Sequence, residues 1–275
     1  DSSTSRGLGD VYKRQDLVHH VQSHYVAEKT VVVAAGNFDV DPWMALAKEL
    51  FAGMRASTDV PVLQQATPAK YVGQSLARRF TQVSQVFVNV AYPLVPAAQE
   101  QGARRRSRLA ASLAAYLFGE GMSSPLVDTV REQLGLAYTA YAAMESGDVW
   151  ANFIVHAVTT PDKLEALLTA TRRLLQAQAA GIDPVHLERA KNQLTVSRVR
   201  SGERTYATME QAVEELFANG TVTPIAETLA MIDDIGAEEV RMVFERMLAH
   251  PPALAITGKG VSAKAARQLA GCLQA

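Results

Sequence analysis

The stretch GEGMSSPLVDTVREQLGLAYTAYAAMESGDVWANFIVHAV, residues 119–158, decides the fold. Gly119 and Gly121 break the chain at a turn whose backbone angles call for glycine. Ser123 or Ser124 then caps a helix, with Pro125 in its first turn, where the missing proline N–H costs nothing. Arg131 stands near the end of that helix. Residues 136–143 and 150–158 read as two strands, joined through Glu145-Ser146-Gly147-Asp148 as a hairpin-like turn.

Upstream of this block, Val86, Val88, Val90 and Tyr92 alternate with Gln85, Phe87, Asn89 and Ala91, the period of a strand. Residues 103–118 are helical, with Leu109, Leu113, Tyr116 and Leu117 on one side. Downstream, Thr160-Pro161 opens a helix whose core stripe is Leu164, Leu167, Leu168, Leu174 and Leu175, and Gly181 stands where a C-terminal glycine belongs. Asp183-Pro184 starts a second long helix, expected to reach about residue 199, and Gly202-Glu203 reads as a helix break. Helices at 205–218 and 237–248 and a strand at 252–257 close the chain.

A shorter block precedes all this. Residues 16–24 read as the last turns of a helix, and residues 30–35 as a buried strand ending in Gly36-Asn37. Asp41 as N-cap and Pro42 as first helical residue open a helix with Trp43, Leu46, Ala47, Leu50 and Phe51 on one face. Residues 55–70, with Pro61 and Pro68, read as a linker. The order β-β-α-α-β-β-α-α-α-α-β lacks the strict βα alternation of a doubly wound sheet. It predicts an α+β layer, with helices packed on a largely antiparallel sheet. The expected organisation is a 1–15 tail, a 16–54 block, a 55–70 linker and a 71–275 domain.

Composition sets limits. The chain has 275 residues, 48% hydrophobic and 20% charged, an ordinary globular balance able to bury a core. A net charge of −1 gives no general attraction to nucleic acid or anionic lipid. Arg104-Arg105-Arg106 reads as a solvated helix face, since no aromatics interleave. No apolar run approaches the roughly 20 residues of a membrane-spanning helix. The single cysteine, Cys272, can form neither an internal disulfide nor a cysteine metal cluster. The compartment, periplasmic or cytoplasmic, is left open. Residues 1–15, DSSTSRGLGDVYKRQ, have no helical or strand period and are similar to a translated sequencing-adapter tail. The natural protein is expected to continue upstream of them.

Gly119-Glu120-Gly121-Met122-Ser123-Ser124-Pro125-Leu126, followed by Val130-Arg131-Glu132-Gln133-Leu134-Gly135-Leu136-Ala137-Tyr138, resembles the C-terminal half of the insulinase, pitrilysin and mitochondrial-processing-peptidase family of zinc metallopeptidases. There a glycine-rich turn leads into a helix ending in "RE" and then a "GLAY" strand start. Pro125 departs from the arginine often found at that point. Residues 31–51, VVVAAGNFDVDPWMALAKELF, resemble the last strand and helix of the family's N-terminal domain. The resemblance implies a half-shell of two α+β domains, and two half-shells enclosing a peptide chamber. It implies zinc held by an inverted H-x-x-E-H motif with a later Glu as third ligand. It further implies that Arg131 and Tyr138 contact the substrate backbone near the scissile carbonyl.

No H-x-x-E-H occurs in the sequence, so zinc is expected on an N-terminal half or a partner subunit and not on this chain. His20 and His24 are four apart and share a helix face, but Val21-Gln22-Ser23 places no carboxylate between them. The expected function is therefore the substrate-binding half of a zinc endopeptidase acting on peptides or small unfolded proteins. Its expected partners are a peptide and a zinc-bearing half in a dimer, with no nucleic acid. The alternative is a non-catalytic scaffold subunit of the same family. Taken alone, Arg131 reads better as a helix-end cation and Tyr138 as a half-buried strand aromatic, and the surrounding motif reverses that preference. His156 reads as a satisfied, partly buried histidine.

Overall fold

The computed structural model describes residues 14–56, 70–94, 101–147 and 149–273. Most of the expected tail and linker, and Asp148 of the hairpin turn, lie outside the described residues. The elements are α1 (Arg14–His24), α2 (Val40–Phe51), β1 (Ser75–Arg79), β2 (Val86–Pro93), α3 (Gln101–Gly119), α4 (Pro125–Val127, continuing as a π-helix over Asp128–Gln133), β3 (Thr139–Ser146), β4 (Ala151–Thr159), α5 (Leu164–Ala180), α6 (Pro184–Gly202), α7 (Thr205–Asn219), α8 (Ile225–Asp234), α9 (Ala237–Leu248), β5 (Ala253–Gly258) and α10 (Ala263–Gly271).

The strands form one sheet in the order β1-β5-β2-β4-β3. Every pair is antiparallel except β1 with β5. The expected α+β layer, helices on a largely antiparallel sheet, is therefore what the chain forms. Strand alternation explains the burial. Val86, Val88 and Val90 of β2, Ala140 and Ala142 of β3, and Phe153, Val155 and Ala157 of β4 are buried in one continuous core with the helices. Phe87, Asn89, Tyr141 and His156 point to the opposite face, where Phe87 and Tyr141 stand exposed. Phe118 of α3, Phe153 of β4 and Phe244 of α9 are wholly buried and meet pairwise at 5.6–6.0 Å between ring centroids, locking two helices onto the sheet.

Two contacts set how α3 sits. At its end, a Cβ on Gly119 would fall onto the backbone N and the side chain of Ala142 in β3, so this position takes glycine for closeness and not for an unusual φ. Nearer its start, Arg106 donates from Nε and Nη2 to the two carboxylate oxygens of Glu239, both at 2.7 Å, and from Nη1 to Asp234 at 2.7 Å. Arg105 donates to Thr228 at 3.2 Å and lies within 4.0 Å of Glu215 and 3.8 Å of Glu227. The expected solvated arginine face is thus corrected at Arg105 and Arg106. Acidic side chains of α7, α8 and α9 converge on it, an arrangement that local sequence cannot reveal.

Other expectations are corrected too. Residues 30–35 pair with no strand among the described residues, and Val31 and Val32 are each 42% exposed. An isolated strand has no ladder to satisfy its backbone, so the apolar pattern alone does not make one. The N-cap of α2 is Asp39, not Asp41, and no residue of α2 is fully buried, with Trp43 and Ala47 half-covered. Gly181 does end α5 as expected, as its C-cap with an extended φ of 179°, whereas Gly220, after α7, takes the left-handed φ of 69°. β1, α8 and α10 escaped the sequence reading. The residues of β1 are mostly exposed and carry little period, and β1 exists because β5 supplies a parallel partner.

Two outcomes follow for stability. Gly119→Ala should cost about 3 kcal/mol, since overpacking against backbone cannot relax, read as a lower urea midpoint. The Arg106 guanidinium holds the Glu239 carboxyl below the usual carboxylate range. A depressed folded pKa means the pair's contribution is full above the unfolded value of about 4.3 and is lost as pH falls through the folded value. Arg106→Ala should therefore flatten the acid limb of a stability-against-pH curve, and at neutral pH it should cost about 1 kcal/mol for so partly exposed a network.

Candidate functional site

The segment from Gly119 to Tyr138 joins the end of α3 to the free edge of the sheet. Its turn is held from α6: Arg189 donates to the carbonyls of Leu117 at 2.8 Å and Glu120 at 3.1 Å, and to the Ser123 hydroxyl at 3.3 Å. Gly121 takes a left-handed φ of 79°, and a Cβ there would meet the Gln193 amide. The two glycines therefore serve different ends, one for closeness and one for conformation. Ser124 is the N-cap; its hydroxyl donates to the Gly121 carbonyl at 2.7 Å and accepts from the Val127 N–H at 3.4 Å. Pro125 sits at the helix start as expected.

The helix then widens. Leu134 N–H donates to Thr129 O at 3.0 Å, five residues back, which defines a π turn. Leu136 and Ala137 N–H both donate to Val130 O, at 2.7 and 3.1 Å. Those bonds explain why β3 begins at Thr139 and not at the expected residue 136: the amides before it are already used. The ladder is entered at Tyr138, whose N–H donates to Val158 O at 2.9 Å. Gly135 takes a left-handed φ of 57° between these two systems, and its carbonyl accepts from Lys163 Nζ at 2.8 Å. The π turn itself was not legible in the residues, because it depends on where Val130 and Ala137 are buried.

This scaffold presents Arg131 and Tyr138 outward. Val130 and Ala137 are sunk in the core beside them, while the Arg131 side chain is 48% exposed and pairs with Glu132 at 3.2 Å. Tyr138 is 77% exposed, which rules out the half-buried strand aromatic. The following strand, β3, pairs with β4 on one side only, so the backbone groups of its other side are unpaired among the described strands. Chemically, a guanidinium offers several fixed donors to peptide carbonyls, a phenol can donate to a developing oxyanion, and a free strand edge can accept an extended chain.

Behind the strand, on the open sheet face, His156 Nδ1 lies 2.9 Å from Asn89 Oδ1, and its ring lies 4.9 Å from that of Tyr141. Burial pushes its imidazole down from the ordinary histidine range. It is satisfied and half-buried, as its sequence context implied. The His20 and His24 rings stack at 4.3 Å, and His24 Nδ1 lies 3.0 Å from the His20 carbonyl. Among the described residues no three His, Cys, Asp or Glu side chains gather to hold a metal ion. No helix among them is long and apolar enough to cross a membrane.

Residues 12–194 match the family described as the peptidase M16 inactive domain. The chain belongs to that family, a non-catalytic half of peptidase-like proteins. An uncharacterized zinc protease of Rickettsia felis is 26% identical over 230 residues, covering 83% of this chain and 53% of the relative. The peptidase M16 inactive domain from Pseudomonas fluorescens superposes with a TM-score of 0.73 at 18% identity, over 91% of this chain and 58% of that one. A chain of complex III2 from Candida albicans gives a TM-score of 0.77 at 18% identity, over 94% of this chain and 62% of that one. The chain spans about half the length of the curated relatives it matches.

Because both side chains project into solvent, Arg131→Ala and Tyr138→Phe should each change unfolding stability by no more than about 0.5 kcal/mol. Thermal melts of the single variants check this; a large loss at either position would mark it as structural.

Proposed function

We propose that this chain is the substrate-binding half of a zinc endopeptidase acting on peptides or small unfolded proteins. The observation carrying the reading is the exposed Arg131 and Tyr138 on a backbone-tied loop at the head of the free edge strand β3. An extended polypeptide would add to that edge, with backbone bonds supplying affinity. Arg131 would hold a substrate carbonyl, and Tyr138 would donate to the oxygen of the carbonyl under attack. The zinc and its general base would come from an N-terminal half or a partner subunit in a dimer. A non-catalytic scaffold role in an assembly is the second reading, favoured by the likeness in fold to the complex III2 chain. An upstream reading frame or neighbouring subunit with H-x-x-E-H favours the first reading over the second.

The isolated chain should bind fluorescein-labelled casein by anisotropy and should not hydrolyse it, even with zinc added. Arg131→Ala combined with Tyr138→Phe should weaken that binding by roughly tenfold or more, the equivalent of losing a charge-assisted hydrogen bond. Turnover by the purified chain, or binding indifferent to both substitutions, would sink the reading.

A further inference from the structure

Between Arg131 and Tyr138 lies a loop whose shape sets where the guanidinium and the phenol stand relative to each other. Its backbone is held at many points. The Leu134, Leu136 and Ala137 amides are bonded within the π turn, and the Tyr138 amide is bonded to Val158 O. What remains is the outward run of carbonyls, and two side chains from the far end of β4 and just beyond it take them. Thr159 Oγ1 donates to Leu136 O at 2.6 Å, and Lys163 Nζ donates to Gly135 O at 2.8 Å. The Thr159 residue is only 4% exposed, so its hydroxyl cannot be replaced readily by water. The Leu136 backbone is thus fastened at both its groups, by its N–H to Val130 O and by its C=O to Thr159.

We propose that Thr159 is a positioning residue for substrate binding: by holding the Leu136 carbonyl it fixes the loop that sets Arg131 against Tyr138, with Lys163 as a weaker, exposed second clamp. This rests on the substrate reading of that pair. A loop ordered before the polypeptide arrives saves the ordering cost at binding, and a displacement of about 1 Å in such a clamp is costly. Neither Thr159 nor Lys163 needs to touch the substrate for this role.

The test is a double-mutant cycle on the full chain, with fluorescein-labelled casein as probe and anisotropy as readout. Thr159→Val keeps the shape of the side chain and removes the donor; it should bind casein roughly tenfold more weakly, as expected when a part-buried carbonyl loses its donor and the loop shifts. Thr159→Ser should restore binding. On an Arg131→Ala, Tyr138→Phe background, Thr159→Val should add no further loss, because its effect passes through those two groups. Lys163→Met, at an exposed site, supplies a second cycle should Thr159→Val fold poorly: a smaller loss, again absent on the double-variant background. Parent-like binding by Thr159→Val, or an equal loss on both backgrounds, overturns the positioning role while leaving the substrate reading intact. Casein binding that ignores Arg131 and Tyr138 altogether removes the substrate reading, and this role with it.

Discussion

Where α3 runs out at Gly119, it lies so close to Ala142 of β3 that no Cβ fits between them. That approach brings the helix end down onto the sheet edge, and the rest of the molecule is built around it. The Phe118–Phe153–Phe244 cluster packs in the space so defined. The turn that follows has nowhere to go but along the edge, where Arg189 of α6 grips its carbonyls. At the other end of α3 the Arg105 and Arg106 network with α7, α8 and α9 holds the helix against sliding. The helix is therefore anchored by closeness at one end and by charge at the other.

The loop from Val130 to Tyr138 inherits its stiffness from the same geometry. Buried Val130 and Ala137 pull its two ends inward, and the extra residue of the π turn is accommodated by bonding back to Thr129 and Val130. Side chains neighbouring the buried pair are then forced outward, which is how an arginine and a tyrosine come to be exposed on a segment with almost no backbone freedom. π turns recur at functional sites for this reason: they re-aim a side chain at a cost the surrounding packing must cover.

Residues 30–35 and α2 show the opposite case. Val31 and Val32, and Leu46, Leu50 and Phe51, have the apolar pattern of buried elements, yet they are exposed. Their pattern is that of one side of an interface whose other side is not among the described residues. A hydrophobic period states only that a face should be covered; it does not supply the cover.

The residues themselves were enough for much of this. Period-two alternation specified β2, helical stripes specified α3 and α5, and the Ser124-Pro125 and Asp183-Pro184 starts specified α4 and α6, because each depends on interactions within a few residues. The Arg131 and Tyr138 spacing was legible through its resemblance to a family motif. Only the tertiary structure decided that Arg106 is a latch and not a solvated cation, that residues 30–35 are unpaired among the described residues, that β1 joins the sheet beside β5, and that β3 starts three residues late. The first three turn on a partner far away in sequence, a carboxylate or a neighbouring strand, present or missing, and the last on the bonds from Leu136 and Ala137 back to Val130 O. Long-range pairing of that kind leaves no local period to read.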